Sequence, residues 1–155
     1  QQDWDERLRG HLAWVKSGGA EGRLLSLTKV TLADITITGA VLDGIDCSGA
    51  EFYRCDLTAV QMNGCRFAQA SLQDCIFDKA ELVDTICNQT VVRGTSFVGA
   101  NLRGSYWRGA NLRRVDLATS LLEGAQFEDC QFDRVIWPSP IPDHLAAIID
   151  NGVNR

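Results

Sequence analysis

Residues 95–114 read TSFVG ANLRG SYWRG ANLRR, four successive groups of five whose third residues are Phe, Leu, Trp and Leu. The same spacing runs without interruption from Leu25 to Trp137, and the third residue is apolar in all 23 groups. The first residue of each group is small or aliphatic, and none of these 46 positions carries a charge. A period of five fits neither the 3.6-residue turn of a helix nor the two-residue repeat of a strand. The backbone must turn a corner in each group, so the sequence predicts a solenoid.

Several of these groups resemble the pentapeptide-repeat family, whose pattern is Ala, then Asp or Asn, then Leu or Phe, then two variable residues. Residues 100–104 and 110–114 are near-ideal copies, and residues 50–52 and 55–57 are close. The resemblance implies an all-β solenoid: a right-handed, four-sided parallel β-helix of nearly six coils, with four groups and 20 residues in each coil. All nine glycines inside the repeat occupy the fifth position of a group, which is a corner where freedom in φ is useful.

The rest of the chain predicts a cap at each end of this single domain. Residues 1–24 are expected to form an N-terminal capping helix, over residues 3–17, and a linker. The β-helix takes residues 25–137, and three prolines in residues 138–155 stop it ahead of a short C-terminal helix. The apolar residues at helical spacing in the N-terminal helix are Trp4, Leu8, Leu12 and Val15.

The short C-terminal helix needs a surface to cover it, because so few residues do not form a stable helix alone. Leu145, Ile148 and Ile149 give it an apolar face, and Trp137 occupies the last inward position at the same end. A two-fold homodimer through residues 137–153 would bury both features. The alternative is that the helix folds back over Trp137 as a plug within one chain.

Charge is distributed in bands along the chain, whose net charge is −5. Residues 34–84 hold nine acids and three bases, and residues 116–155 hold seven acids and two bases. Residues 85–115 hold no acid and five arginines, so we expect a basic band between two acidic ones. These arginines are Arg93, Arg103, Arg108, Arg113 and Arg114.

All six cysteines fall at inward positions of the repeat, where a thiol replaces Ala or Leu. The sequence therefore predicts a reduced core rather than a set of disulfides, and with it a cytoplasmic protein. A bridge between Cys55 and Cys75, which lie one coil apart, is the alternative.

The side chains that perform catalysis or bind metals are sparse. The two histidines, His11 and His144, fall in opposite caps, and the cysteines face inward at wide spacing. No stretch of 18 apolar residues and no cleavable leader is present, so neither a membrane span nor a signal peptide is expected. We expect no enzyme activity, no cofactor and no metal.

The outward positions offer one candidate partner-binding surface. Ile86 and Tyr106 are predicted vertical neighbours with Arg108 beside them, a composition typical of interaction hot spots. We include in it the rest of the arginine band, Arg93, Arg103, Arg113 and Arg114. Trp107, by contrast, is interpreted as a core residue that fills the space above Cys87.

Two functions remain open. The first is a non-catalytic protein-binding or scaffold module whose protein partner is unidentified. The second follows from the resemblance: some members of the family mimic B-form DNA, bind type II topoisomerases (DNA gyrase and topoisomerase IV) and protect them from quinolones. The arginine band interrupts the negative surface that such mimicry needs, and direct binding of nucleic acid by five arginines on an acidic protein is disfavoured.

Overall fold

A computed structural model describes residues 2–151 as a parallel β-solenoid with a helix at each end. Helix α1 spans Gln2–Lys16 and helix α2 spans Asp143–Asn151. Between them, one face carries six short strands that pair in chain order as a parallel sheet. The strands are β1 Thr31–Ala33, β2 Glu51–Tyr53, β3 Ser71–Gln73, β4 Val91–Arg93, β5 Asn111–Arg113 and β6 Gln131–Asp133.

Each strand from β1 to β5 pairs with the strand 20 positions later in the chain, as for Leu32 with Phe52 and Leu112 with Phe132. Isolated bridges on the other three faces keep the same offset, so one coil consists of four groups of five. We number the coils from the first residue of the repeat: coil 1 is residues 25–44, and coil 6 begins at residue 125. The predicted fold class and register are confirmed.

The third residue of each group faces the core. From Leu27 to Phe132 these side chains are buried, and Trp137 at the open end is half-buried. Trp107 is 1% exposed. It stacks on Phe127 with ring centroids 5.7 Å apart, and its Nε1–H donates to Ser105 Oγ at 2.8 Å. Trp107 is thus a core residue, as predicted, with its polar atom paired by the small neighbour at the first position.

Every fifth position from Lys29 to Arg134 adopts a left-handed backbone conformation, with φ between 49° and 74°. Nine of these corners are glycine, as the sequence indicates, but thirteen are not. An L-residue with a side chain is less stable in this conformation than glycine, by about 1 kcal/mol. The ladder of hydrogen bonds between coils therefore imposes the corner on residues such as Ala59 and Gln69, whose N–H groups donate to the next coil, against their own preference.

Helix α1 closes the lower end of the solenoid. It begins at Gln2, one residue before the predicted start at residue 3, so Asp3 lies inside its first turn. Two glycines end the helix: Gly18 has φ 64°, and the N–H of Gly19 donates to the carbonyl of Trp14 at 2.8 Å. None of the helices described within residues 2–151 is long and apolar enough to cross a membrane.

Candidate partner-binding surface

One outward face of the solenoid brings together the predicted aromatic and aliphatic residues. We call it the tyrosine face, and its central column runs through the second positions, which bridge in register. Ile86 bridges to Tyr106, as predicted, and Tyr106 bridges to Gln126. Tyr106 is 43% exposed and Ile86 is half-buried. The residues of the column are Ser26, Asp46, Arg66, Ile86, Tyr106 and Gln126.

Arg108 follows Tyr106 on the tyrosine face and Arg103 lies on the face before it, and both pair with acids of the next coil. Arg103 Nε lies 3.1 Å from Glu123 Oε2, and Arg108 Nε lies 3.5 Å from Asp129 Oδ2. The pKa of Glu123 is held below its usual value by its own backbone N–H and then by the Arg103 guanidinium. These pairs are exposed, so each stabilises the fold little. Their effect here is to neutralise positive charge on both sides of Tyr106.

The other three arginines lie around the corner, on the face that carries β1–β6, which we call the strand face. Arg93 and Arg113 are register partners on β4 and β5, and Arg114 follows at the corner. Arg113 Nε lies 3.1 Å from Asp133 Oδ2. The predicted surface is therefore spread over three faces, because the basic band winds around the rod and Arg103 lies on the face before the tyrosine face. Three of its five arginines are paired with acids one coil above, so the band carries less free positive charge than the sequence suggested.

Both histidines act as hydrogen-bonding groups at the ends of the coils. His11 is fully buried, and its Nδ1 accepts a hydrogen bond from the N–H of Leu25 at 3.3 Å. Nε2 of His144 lies 2.9 Å from the carbonyl oxygen of Ala125, which a further coil would otherwise bond. Among residues 2–151, no three His, Cys, Asp or Glu side chains are grouped closely enough to hold a metal ion.

Family models match most of the repeat region: a pentapeptide repeat region over residues 60–137 and pentapeptide repeats over residues 31–67. The chain belongs to the pentapeptide-repeat family. Several solved structures of pentapeptide-repeat proteins are similar to the chain. A pentapeptide-repeat protein from the Arabidopsis thaliana thylakoid lumen is 18% identical, with 83% of this chain and 81% of that chain covered and a TM-score of 0.49.

Two further structures are similar at lower TM-scores. HetL, involved in heterocyst differentiation regulation in the cyanobacterium Nostoc, is 18% identical, with 83% and 95% of the two chains covered and a TM-score of 0.28. QnrB1, a plasmid-mediated fluoroquinolone resistance protein, is 16% identical, with 69% and 77% covered and a TM-score of 0.29. No curated protein sequence matches the chain.

In this pentapeptide-repeat protein, helix α2 covers the upper end of the solenoid within one chain. Leu145 is 1% exposed, and Ile148 and Ile149 pack partly buried against the core. Trp137 lies edge-on to Phe132, with ring centroids 5.1 Å apart. The arrangement is the plug that the sequence left as an alternative. Because the apolar face of the helix is already covered, the main reason for the predicted homodimer through residues 137–153 is removed. The last two residues of that range lie outside the described residues. The homodimer stays a prediction.

The cysteines of this pentapeptide-repeat protein are all free thiols. Five are buried, but Cys130 is only partly so, because coil 6 has no complete coil above it. Burial raises the pKa of Cys65 and of Cys87 to about 12. The neighbouring Cys55 side chain, one coil below, and burial both raise the pKa of Cys75, whose thiol donates to the carbonyl of Phe52 at 3.4 Å.

Proposed function

We propose that this protein is a non-catalytic protein-binding module whose partner docks on the tyrosine face. The observation that supports this most directly is the exposed ring of Tyr106 directly above Ile86, with the ion-paired Arg108 on the same face and the ion-paired Arg103 on the face before it. An aromatic anchor surrounded by neutralised polar groups resembles the centre of an interface, where a few residues supply most of the binding energy. The parallel ladder beneath it keeps the backbone rigid, so little conformational entropy is lost on binding.

Affinity measurements on matched variants test this proposal. The partner is first captured with the wild-type protein and identified, and its affinity is then measured by calorimetry. Tyr106→Ala should weaken binding at least about tenfold, the usual effect of removing an interface anchor. The control is Ile76→Ala on a different face, because Ile76 is 42% exposed and Tyr106 is 43% exposed. Equal affinities of the two variants would exclude the tyrosine face as the binding site.

A second candidate is a DNA mimic that binds DNA gyrase or topoisomerase IV and modulates or protects it from inhibitors such as quinolones. The observation that favours it is the pairing of Arg103, Arg108 and Arg113 with acids of the next coil. The arginine band interrupts the acidic surface and so argues against mimicry of a polyanion. These ion pairs reduce the positive charge of the band and so weaken that objection. The identity of the target enzyme comes from the family resemblance alone. The structure contributes only the distribution of charge on the surface of this protein.

Gyrase assays separate the two candidates. A DNA mimic should inhibit supercoiling, or rescue it from a quinolone, at about micromolar protein, and the effect should weaken as salt rises. Wild-type protein that does neither at tens of micromolar excludes the second candidate and leaves the first untouched. We also propose a reducing, cytoplasmic location, which the six free thiols support.

A further inference from the structure

Charge on the tyrosine face is balanced, unlike that of the whole chain. The face consists of residues 25–29 and their equivalents in the five later coils. The chain has a net charge of −5, whereas this face carries three bases and three acids. Its two ends have opposite signs, because coil 1 holds a lysine and coil 6 holds two acids. In chain order the charged residues are Lys29, Asp46, Arg66, Arg108, Glu128 and Asp129.

Two copies of this face can meet about a two-fold axis that lies between them and runs perpendicular to both rods. Rotation about that axis reverses the order of the coils and keeps each position of a group opposite the same position of the partner. With the axis between coils 3 and 4, coil 1 meets coil 6 of the partner, coil 2 meets coil 5, and coil 3 meets coil 4. Each contact then occurs twice, as an isologous interface requires.

The corner residues are complementary in this arrangement. Lys29 faces the partner's Asp129, and both are exposed residues at the fifth position of a group. Lys29 has no ion-pair partner within residues 2–151, and Asp129 has Arg108 at 3.5 Å. In coils 2 and 5, Gly49 faces the partner's Gly109, so no side chain holds these corners apart. The contacts at the ends of the face are therefore two ion pairs, one for each copy of Lys29.

The second positions place the aromatic ring of each copy against a polar pair of the other. Tyr106 faces the partner's Asp46, and Ile86 faces the partner's Arg66. Asp46 and Arg66 bridge in register. Hydrogen bonds from the side chain and backbone of Ser48, and then the Arg66 charge, hold the pKa of Asp46 below its usual value. The ionised carboxylate can accept a bond from a tyrosine hydroxyl, while the aliphatic stem of Arg66 covers Ile86.

We propose, resting on the function proposed above, that the partner of the tyrosine face is a second copy of this chain, bound antiparallel about the axis between coils 3 and 4. The axis brings nine outward pairs of positions together, and none of them joins like charges. Parallel rods, related by an axis along their length, would instead place Glu128 and Asp129 of both copies in the same coil, where they repel. Charge therefore selects the antiparallel arrangement.

The size of the face makes this dimer a weak one. Six coils at about 4.8 Å give a face roughly 28 Å tall and one short strand wide. This is well below the roughly 800 Å² per partner of a standard interface. The end contacts lie at exposed corners, so screening weakens the dimer further at about 300 mM salt.

Sedimentation equilibrium on full-length charge-swap variants tests the arrangement. Wild-type protein should be partly dimeric at about 0.5 mM protein and about 50 mM salt. Lys29→Asp and Asp129→Lys should each raise the dissociation constant at least about fivefold, because like charges then meet twice. The double variant restores opposite charges, so its dissociation constant should return to within about threefold of the wild type. An equimolar mixture of the two single variants should form a heterodimer for the same reason.

The matched control is Lys79→Asp, the same substitution at an exposed left-handed corner of another face. It changes the net charge equally and should leave the dissociation constant unchanged. Lysine and aspartate both occupy such corners in this chain, as at Lys79 and Asp34, so the charge-swap variants should keep the fold. Tyr106→Ala should abolish the dimer, whereas Ile76→Ala should not.

Three results overturn the proposal. They are a wild-type protein that stays monomeric at about 0.5 mM, a dimer that Tyr106→Ala leaves intact, and a double charge-swap variant that dimerises no better than Lys29→Asp. A monomeric wild type that captures a different protein, and loses it in Tyr106→Ala, overturns self-association alone and leaves the binding function of the tyrosine face standing.

Discussion

The Nδ1 atom of His11 accepts the backbone N–H of Leu25 at 3.3 Å, so a side chain of helix α1 completes the hydrogen bonding of the first coil. In later coils the N–H at the first position donates to the third position of the preceding group, as from Cys65 to Met62 at 3.3 Å. Leu25 has no preceding group in the solenoid. His11 supplies the missing acceptor, and it can do so only while Nδ1 is unprotonated.

The protein should lose stability as pH falls below about 6.5. Burial lowers the pKa of His11 from its ordinary value of 6.5, and the Asp43 carboxylate opposes this incompletely. Below 6.5 the unfolded chain takes up a proton at this site that the folded chain does not. As the pH decreases, the free energy of unfolding therefore decreases by at most about 1.4 kcal/mol per pH unit, until the pH reaches the lowered pKa of His11. Urea unfolding between about pH 5.5 and 8 measures this slope.

His11→Asn should flatten that slope, because the amide keeps an acceptor for Leu25 but does not titrate. His144→Asn is the control, since the His144 side chain is exposed. An unchanged slope in His11→Asn would show that other groups cause the pH dependence.

Charge substitutions inside and outside the coil test the register. Phe97 is 1% exposed, and Phe97→Asp would bury a carboxylate without a partner and cost several kcal/mol. Asn88 Oδ1 accepts the N–H of Arg108 at 3.1 Å, a role that a carboxylate also fills. Asn88→Asp should therefore change stability by less than about 0.5 kcal/mol. Thermal melts compare the two, and equal melting temperatures would contradict the register.

Substitution at a corner tests the strain of the left-handed positions. Thr119 has φ 56°, a conformation that β-branched residues rarely adopt. Thr119→Gly should raise the free energy of unfolding by about 1 kcal/mol. Ala118→Gly, one residue earlier and outside the left-handed set, should lower it by about 0.5–1 kcal/mol. If both substitutions destabilise in chemical unfolding, the corner conformation is not strained.

The thiols should differ in reactivity according to their burial. Cys130 is the one partly exposed cysteine, so it should react first with a thiol reagent, although burial raises its pKa to about 11. The five buried thiols should react only after denaturation, and reductant should leave the melting temperature unchanged. Mass spectrometry with and without denaturant gives the order. A native bridge between Cys55 and Cys75 would contradict both this order and the proposed reducing location.

The repeat made most of the core predictable, because a five-residue spacing assigns each inward side chain a fixed place. The same offset of 20 residues could have been applied to the outer surface. Arg103 with Glu123 and Arg113 with Asp133 are both 20 apart, so these ion pairs were readable from the sequence. Arg108 with Asp129 was not, since it crosses diagonally between positions and depends on side-chain conformation.

The caps were less predictable, because their burial depends on how a helix docks on the open end of a coil. Helical spacing indicated Val15 as part of the buried face, yet it is 40% exposed, while His11 is fully buried. Trp4 and His11 lie on the face that docks, and Leu12 is only half-buried. Hydropathy alone could not assign an interior place to a histidine whose role is to accept a backbone hydrogen bond.

The last prediction concerns helix α2. Because Leu145 is covered within one chain, Leu145→Asp should lower the free energy of unfolding by several kcal/mol through a buried, unpaired charge. Ala147→Asp is the control, since Ala147 lies exposed on the same helix. Light scattering at about 300 mM salt, where charge contacts between chains are screened, should give the mass of one chain, 17.0 kDa, for all three proteins. A wild-type dimer under these conditions that Leu145→Asp splits with little loss of stability would instead establish the homodimer through residues 137–153.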